Sequence, residues 1–202
     1  MPTAEFFTRF GLFVRKNFLE QELCARCCRE INEAAKGKAT IVGANESETA
    51  VFDENVRKVK WAAVPATTVS LVKARLLALI PTLERHFNVT LTGCEPPNFF
   101  AYQEGDFYQP HIDGGDGTHP EVRGRKVSVV IFLNGQSQQP ADDTYCGGSL
   151  TFYGLIEDPR WLTYGFPLNS ELGLLIAFRT ETIHQVLPVT YGKRYSIASW
   201  LF

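Results

Sequence analysis

Charge of one sign is the first thing this 202-residue chain lacks: 20 lysines and arginines stand against 22 aspartates and glutamates, a formal net charge of -2. Affinity for a polyanion comes mostly from neutralised phosphates, so with neither a basic excess nor a long basic stripe, nucleic acid is not an expected partner. Long apolar runs are missing too. None approaches the ~20 residues that cross a bilayer, so no membrane association is expected. The Phe-rich N-terminal stretch is interrupted by Glu5, Arg9, Arg15 and Lys16 and has no small-residue cleavage site, which argues against a signal peptide. Cysteines number only five, an odd count. Cys24, Cys27 and Cys28 share one helix face without a nearby histidine, and read as buried thiols of a reduced compartment rather than a metal or redox cluster. These absences predict a soluble, cytoplasmic protein. Internal repeats and low-complexity tracts are also absent.

What is present is ordinary globular material: 45% hydrophobic residues, 12% aromatic, with 15 Phe, 16 Gly and 11 Pro. The length suits one domain, and the Phe, Gly and Pro content leans toward β structure with many turns. Helical signals sit in the first half. Asn17 and Glu20 resemble a capping box, and Leu19, Leu23, Cys27, Ile31 and Ala34 then recur at helical spacing up to a stop at Gly37. Glu22–Arg26 and Arg29–Glu33 are expected i,i+4 pairs on its wet face. A second helix is predicted from Thr68 to Phe87 on the stripe Val72, Leu76, Leu79, Ile80, Leu83 and Phe87, with a kink or break at Pro81. Ala39–Val42 and Val51–Val64 between them read as strands or loops.

From Phe99 onward the texture changes to short apolar or alternating runs bounded by Gly, Pro, Asn or Asp. They are Phe99–Tyr102, Phe107–Ile112, Val127–Leu133, Ser149–Tyr153, Leu172–Phe178, Ile183–Val189 and Arg194–Phe202. Such a series predicts an antiparallel sandwich or barrel. Three long connections, 114–126, 134–148 and 155–170, are candidate binding loops. The expected class is mainly β with flanking helices: residues 1–98 as a helical and strand support region packed on a core of residues 99–202, one structural domain overall.

The sharpest chemical feature is His111-Ile112-Asp113. In a strand, i and i+2 project to the same face, so an imidazole and a carboxylate stand side by side. His184, on a later apolar segment, is a third candidate that only tertiary pairing can bring to them. Two His and one carboxylate on one face of an octahedral ion leave three positions open, which suits non-haem Fe(II); structural zinc prefers a closed tetrahedral site. Arg194 follows His184 in another short strand, and a guanidinium facing the metal is a fixed fork for a carboxylate.

These residues carry a resemblance. Tyr102-x-x-Gly105-x-x-Tyr108-x-x-His111-x-Asp113, Phe132-Leu133-Asn134, Gly147-Gly148-Ser149-Leu150-x-Phe152-Tyr153, Gly173-x-Leu175, Phe178, His184-x-Val186-x-Pro188-Val189, Gly192, Arg194-Tyr195-Ser196 and Trp200 run in order over roughly the second half of the chain. Together they resemble the prolyl 4-hydroxylase-like branch of the Fe(II)/2-oxoglutarate-dependent dioxygenases. The resemblance implies a double-stranded β-helix, or cupin-like jelly-roll, core. It implies Fe(II) on His111, Asp113 and His184, and 2-oxoglutarate held at its distal carboxylate by Arg194. Tyr102 then lines the cosubstrate pocket, Ser196 donates a second hydrogen bond to the carboxylate, and Trp200 forms the inner wall. Ascorbate as a reductant and dioxygen as the second cosubstrate come with the same resemblance.

The sequence departs from the pattern at Arg194, where collagen-type enzymes often carry Lys, and at Ser149, where relatives carry an acid. An intact Asp113 favours hydroxylation over halogenation. The implied activity is hydroxylation of an unactivated C–H bond in an amino acid or peptidyl, possibly prolyl, substrate, with succinate and CO2 as coproducts. The same chemistry on a free small molecule of specialised metabolism, or a metal-binding jelly roll without catalysis, are the alternatives.

Other residues are weighed more plainly. His119 reads as a loop histidine and His86 as a structural one meeting a helix dipole. Arg123, Arg125 and Lys126 either steer an anionic substrate or solvate their loop. Trp161, Tyr164 and Phe166 either wall a substrate site or tie down a long loop.

Overall fold

The computed structural model describes residues 4–39, 53–114 and 122–202. The chain opens with α1 (Ala4–Thr8), β1 (Phe13–Arg15), α2 (Gln21–Glu33) and β2 (Lys36–Lys38). Two short strands, β3 (Arg57–Lys58) and β4 (Lys60–Ala62), then lead into the long helix α3 (Ala66–Phe87). The second half is all strand: β5 (Asn98–Tyr102), β6 (Phe107–His111), β7 (Val127–Phe132), β8 (Gly135–Gln136), β9 (Thr144–Gly147), β10 (Leu150–Phe152) and β11 (Phe166–Leu168). It closes with β12 (Leu175–Arg179), β13 (His184–Val186), β14 (Val189–Gly192) and β15 (Arg194–Leu201). Among these, β5, β6, β7, β10, β12, β13 and β15 fall in the seven runs expected from the sequence.

The strands form two main sheets, ordered β1-β12-β7-β15-β5-β4-β2 and β11-β10-β13-β6-β3, with a small third sheet β14-β9-β8. The pairings within the two main sheets are antiparallel. This is the double-stranded β-helix the resemblance implies. Strands from before residue 99, namely β1, β4 and β2, extend the larger sheet at its two edges.

Period-two alternation sorts the larger sheet into two faces. Phe99 and Ala101 of β5, Val127, Val129 and Ile131 of β7, Leu175 and Ala177 of β12, and Tyr195, Ile197 and Leu201 of β15 join one apolar cluster with α2 and α3. Their neighbours in sequence, Phe100 and Tyr102, Phe132, and Ile176 and Phe178, face the other way into a second cluster with Leu150, Phe152 and Val186 of the smaller sheet. Burial is thus settled by the helices on one side and by the opposing sheet on the other. The second face is where the site lies.

The helices differ from expectation at their ends. α2 starts at Gln21 with Glu20 as its N-cap, and no side chain caps it. Asn17 cannot act as the cap because it sits in the left-handed region (φ 51°), in a turn whose Phe18 N–H donates to the Gly173 carbonyl at 2.8 Å. Gly37 does not stop the helix but pairs with Trp61 in the β2–β4 ladder; the helix ends at Ala34. Arg26 pairs with Glu30 at 2.8 Å and also reaches Thr68, and neither Glu22–Arg26 nor Arg29–Glu33 occurs among the ion pairs of the described residues.

α3 runs unbroken through Pro81. Pro81 is on the exposed face, so the Leu77 carbonyl that loses its partner lies on the solvent side, where water can replace it. By length and composition α3 is apolar enough to cross a membrane, which the run-length reading missed. Its stripe Val72, Leu76, Leu79, Leu83 and Phe87 is nevertheless packed into the sheet cluster. His86 lies edge-on between the rings of Phe13 and Phe87, and burial lowers its pKa, so it packs as a neutral ring instead of meeting the dipole as a cation. Of the segments expected between the helices, residues 40–42 and Val51 lie outside the described residues, as does His119; the remainder supplies β3 and β4.

Candidate metal centre and anion pocket

β6 and β13 are antiparallel neighbours, and His184 is the register partner of His111. Strands paired in this way direct both imidazoles to one face, with ring centroids 4.2 Å apart. Asp113 lies just past the end of β6, where its backbone N–H donates to the Thr180 carbonyl at 2.9 Å and turns its carboxylate back toward the rings. Asp113 Oδ1 is 3.6 Å from His111 Nε2, and Asp113 Oδ2 is 3.4 Å from His184 Nε2. One donor atom from each residue can be chosen so that all lie within 4.8 Å of one another. Bonds of about 2.1 Å at right angles place neighbouring donors about 3 Å apart, so the three fit one ion after small closure. A donor set of two nitrogens and one oxygen, without thiolate, suits an iron with open positions better than structural zinc.

Local contacts prepare each ligand. His111 Nδ1 donates to the Gln109 carbonyl at 2.8 Å and His184 Nδ1 to the Thr182 carbonyl at 2.9 Å. Both Nδ1 hydrogens are thereby spoken for, and each Nε2 lone pair is aimed into the site. Burial pushes His184 down to about 4, against the pull of Asp113, so the ring is neutral at pH 7. For Asp113, burial acts upward but is overridden by His184, His111 and the Ser128 hydroxyl, which hold the carboxyl well below its usual range. Ser128 Oγ donates to Asp113 Oδ2 at 2.7 Å. Tyr108 stacks flat on His111 (centroids 3.5 Å, 17°), with the Arg57 guanidinium over its other neighbourhood at 4.5 Å from the ring centre. Phe178 packs edge-on against His184.

Deeper between the sheets lies Arg194, at the start of β15 and 1% exposed. Its guanidinium carbon sits 4.8 Å from the Tyr102 ring centre and 5.2 Å from that of Phe132. Nη1 donates to Ser196 Oγ at 3.1 Å, while Nε is buried without a partner. Among the described residues no carboxylate lies within 4 Å of it. A buried guanidinium with an idle donor and no counter-ion is costly, and an anionic ligand removes that cost. Because Arg194, Ser196 and Trp200 are spaced by even numbers on one strand, all three belong to the inner face. Trp200 is the register partner of Ser128, placing it beside Asp113 at the opposite end from Arg194. Tyr102 is the register partner of Arg194.

The Gly147-Gly148 pair has a geometric cause. Both adopt positive φ (67° and 59°), and a Cβ on Gly147 would lie 2.4 Å from the Pro188 carbonyl oxygen. On Gly148 it would lie 2.9 Å from Val189, 3.1 Å from Tyr145 and 3.3 Å from Arg194 Cδ. Ser149, which stands where relatives carry an acid, accepts from Gln136 Nε2 at 2.7 Å. The basic cluster is occupied structurally. Arg125 pairs with Glu95 (2.8 Å), packs over Trp200 (3.9 Å) and donates to the Asp113 carbonyl at 3.4 Å, while Lys126 donates to the Thr90 carbonyl. The aromatic loop splits in two: Phe166 packs with Phe6 and Phe10, whereas Trp161 and Tyr164 meet edge-on and remain exposed.

Sequence reasoning missed Ser128, Arg125 as a positioning group, and the Tyr145–Ser170 pair behind Arg194. Ser128 did leave a trace as the one hydroxyl in the run Val127–Phe132, on the face opposite its core valines. Tyr145 left none, because its neighbours are set by the β9–β14 pairing.

Comparison with known proteins adds to this geometry. Residues 97–202 match the family described as the 2OG-Fe(II) oxygenase superfamily. A "PKHD-type hydroxylase" of Cupriavidus metallidurans is 36% identical over 111 residues, covering 52% of this chain and 42% of that protein. The chain therefore spans about two fifths of the length of that curated relative. A prolyl hydroxylase from Trichoplax adhaerens, solved in complex with a hypoxia inducible factor oxygen degradation domain peptide fragment, superposes with a TM-score of 0.75 at 21% identity, covering 98% of this chain and 86% of the other. A Pseudomonas putida prolyl-4-hydroxylase gives a TM-score of 0.67 at 23% identity, covering 98% of each chain. At those identities the two structures establish the fold.

Proposed function

The chain belongs to the 2OG-Fe(II) oxygenase superfamily, and from that membership we propose that it hydroxylates a C–H bond of a peptidyl substrate, with proline as the favoured residue. The observation that carries this reading is the pairing of two features in one cavity: the His111, Asp113 and His184 donor set, and the buried Arg194 with no counter-ion. The first suits Fe(II) and the second suits the distal carboxylate of 2-oxoglutarate. Iron and 2-oxoglutarate together supply the oxidative chemistry, in which one atom of dioxygen enters the substrate C–H bond and the other enters succinate as CO2 departs.

The chain's own part is positioning and charge. His111 and His184 offer neutral Nε2 donors because their Nδ1 hydrogens are committed to backbone carbonyls. Asp113 stays ionised under the influence of both rings and Ser128. Arg194 orients the cosubstrate from its far end, with Ser196 as a second donor and Tyr102 and Phe132 as apolar walls. Phe152 and Phe178 line His184 and keep water from its outer side.

A peptidyl substrate is supported by the rim. Ile112 and Ile183, each adjacent to a metal ligand, are 47% and 46% exposed, and the loop with Trp161, Leu162 and Tyr164 leaves β10 just past Phe152, the register partner of His184. Apolar surface of this kind suits a chain laid across the opening better than a small polar molecule. The test is turnover with Fe(II) and 2-oxoglutarate, comparing proline-containing peptides with free amino acids. Succinate formation that depends on a peptide, and is lost in His184→Ala, is expected. Succinate release stimulated only by free small molecules would overturn the peptidyl reading.

A further inference from the structure

Behind Arg194 lies a hydroxyl that neither the metal centre nor the strand pattern accounts for. Tyr145, on β9, is fully buried, and its hydroxyl is 2.6 Å from Ser170 Oγ. The phenol is also in hydrogen-bonding contact with the Arg194 guanidinium. Ser170 Oγ in turn reaches the Asn134 carbonyl at 3.5 Å.

The direction of this chain follows from donor counting. A guanidinium only donates, so the Tyr145 oxygen accepts from Arg194 and its own hydrogen goes to Ser170; Ser170 then donates to the Asn134 carbonyl. The phenolic hydrogen is the single movable one beside the guanidinium on this side. On the other side, Ser196 Oγ already accepts from Arg194 Nη1, which leaves the Ser196 hydrogen free for an outside acceptor. A carboxylate presented to Arg194 has about four lone pairs to fill. The idle Nε supplies one hydrogen, Ser196 a second, and Tyr145, by rotating its O–H away from Ser170, a third. Gly148 makes the approach possible, since a Cβ there would crowd both the Tyr145 ring and Arg194.

We propose that Tyr145 is a further ligand of the distal carboxylate of 2-oxoglutarate and one of the residues that select a dicarboxylic over a monocarboxylic 2-oxo acid. This rests on the reading of Arg194 given above. The preference comes from the far end of the cosubstrate, so Tyr145 has no effect on a 2-oxo acid lacking that carboxylate.

The experiment is calorimetric titration of the full chain loaded with Mn(II), using 2-oxoglutarate and 2-oxopentanoate, which shares the chelating end but ends in a methyl group. Tyr145→Phe keeps the ring and removes the hydroxyl. It is expected to weaken 2-oxoglutarate about 10- to 100-fold, the range for a hydrogen bond to a charged group, while leaving 2-oxopentanoate and Mn(II) affinities unchanged. Ser170→Ala, which removes the competing acceptor, is expected to retain 2-oxoglutarate affinity. Equal weakening of both acids in Tyr145→Phe would mean a structural role and overturn the proposal. So would unchanged 2-oxoglutarate affinity in Tyr145→Phe when Arg194→Met loses it. If Arg194→Met also binds 2-oxoglutarate normally, the reading of the anion pocket fails first and takes the proposal with it.

Discussion

Replacing Arg194 by Met should move two measurements in opposite directions. In the ligand-free protein the guanidinium is 1% exposed, has no carboxylate within 4 Å among the described residues, and leaves Nε unpartnered. Exchanging buried charge for an apolar group of similar volume is commonly neutral or stabilising by about 1–4 kcal/mol. Against this, the contacts to Ser196 and Tyr145 are lost, at about 1 kcal/mol each. The balance runs from no change to a gain of about 2 kcal/mol, which for a chain of this length means a Tm that holds or rises by up to about 8 °C. Binding goes the other way. Wild-type protein with Mn(II) and 2-oxoglutarate at a hundred times Kd gains about 2.7 kcal/mol. The variant, without its fork for the carboxylate, gains almost none of this at the same concentration. Differential scanning calorimetry on both proteins, with and without 2-oxoglutarate, reads all four values. A ligand-free Tm that falls by more than about 4 °C, together with an undiminished 2-oxoglutarate shift, would refute the argument that Arg194 awaits an anion.

Three further outcomes are expected. Ser128→Ala removes the hydroxyl that holds Asp113 Oδ2; Mn(II) affinity should fall about 10- to 100-fold by titration while the ligand-free Tm changes little, because groups that support ligands act mainly on the metal. Gly148→Ala introduces a Cβ at φ 59° into contact with Val189, Tyr145 and Arg194; at least about 1–2 kcal/mol of stability should be lost in denaturant unfolding, and 2-oxoglutarate binding should weaken with it. Burial raises Cys24 to about 11 and both Cys27 and Cys28 to about 12 from 9.0. A raised thiol pKa lowers the thiolate fraction at any pH below it, by about a hundredfold or more at pH 8. Mass spectrometry should therefore find these three unalkylated by iodoacetamide in the folded protein and modified once it is unfolded; rapid labelling in the folded state would contradict their placement against the sheet.

The parts of this molecule that could be read in advance are those in which local pattern and tertiary role coincide. His111 and Asp113 were legible because a strand end directs i and i+2 to one side, and the long core strands because both of their faces are apolar. β8, β9 and β11, of two to four residues each, were not. They hold their shape through pairing with distant partners, which leaves no periodicity to detect. The α2 boundary was misplaced because Asn17 serves a turn tied to Gly173, a contact 156 positions away in the chain. Pro81 was overrated as a breaker because its exposure on the finished helix was not visible in the stripe alone. Within the site, the residues that touch a ligand followed known spacing. Those that hold them, Ser128, Arg125, Tyr145 and Ser170, depend on cross-strand register and on close approach at glycine, both of which appear only once the sheets are assembled.

The central claim is that His111, Asp113 and His184 grip one ferrous ion while 2-oxoglutarate chelates it from the Arg194 end. Anaerobic visible spectroscopy of the Fe(II)-loaded protein addresses it most directly. Addition of 2-oxoglutarate should bring up a weak charge-transfer band in the wild type and none in His184→Ala; a wild-type spectrum that 2-oxoglutarate leaves unchanged, or a band of equal strength in the variant, would contradict the account.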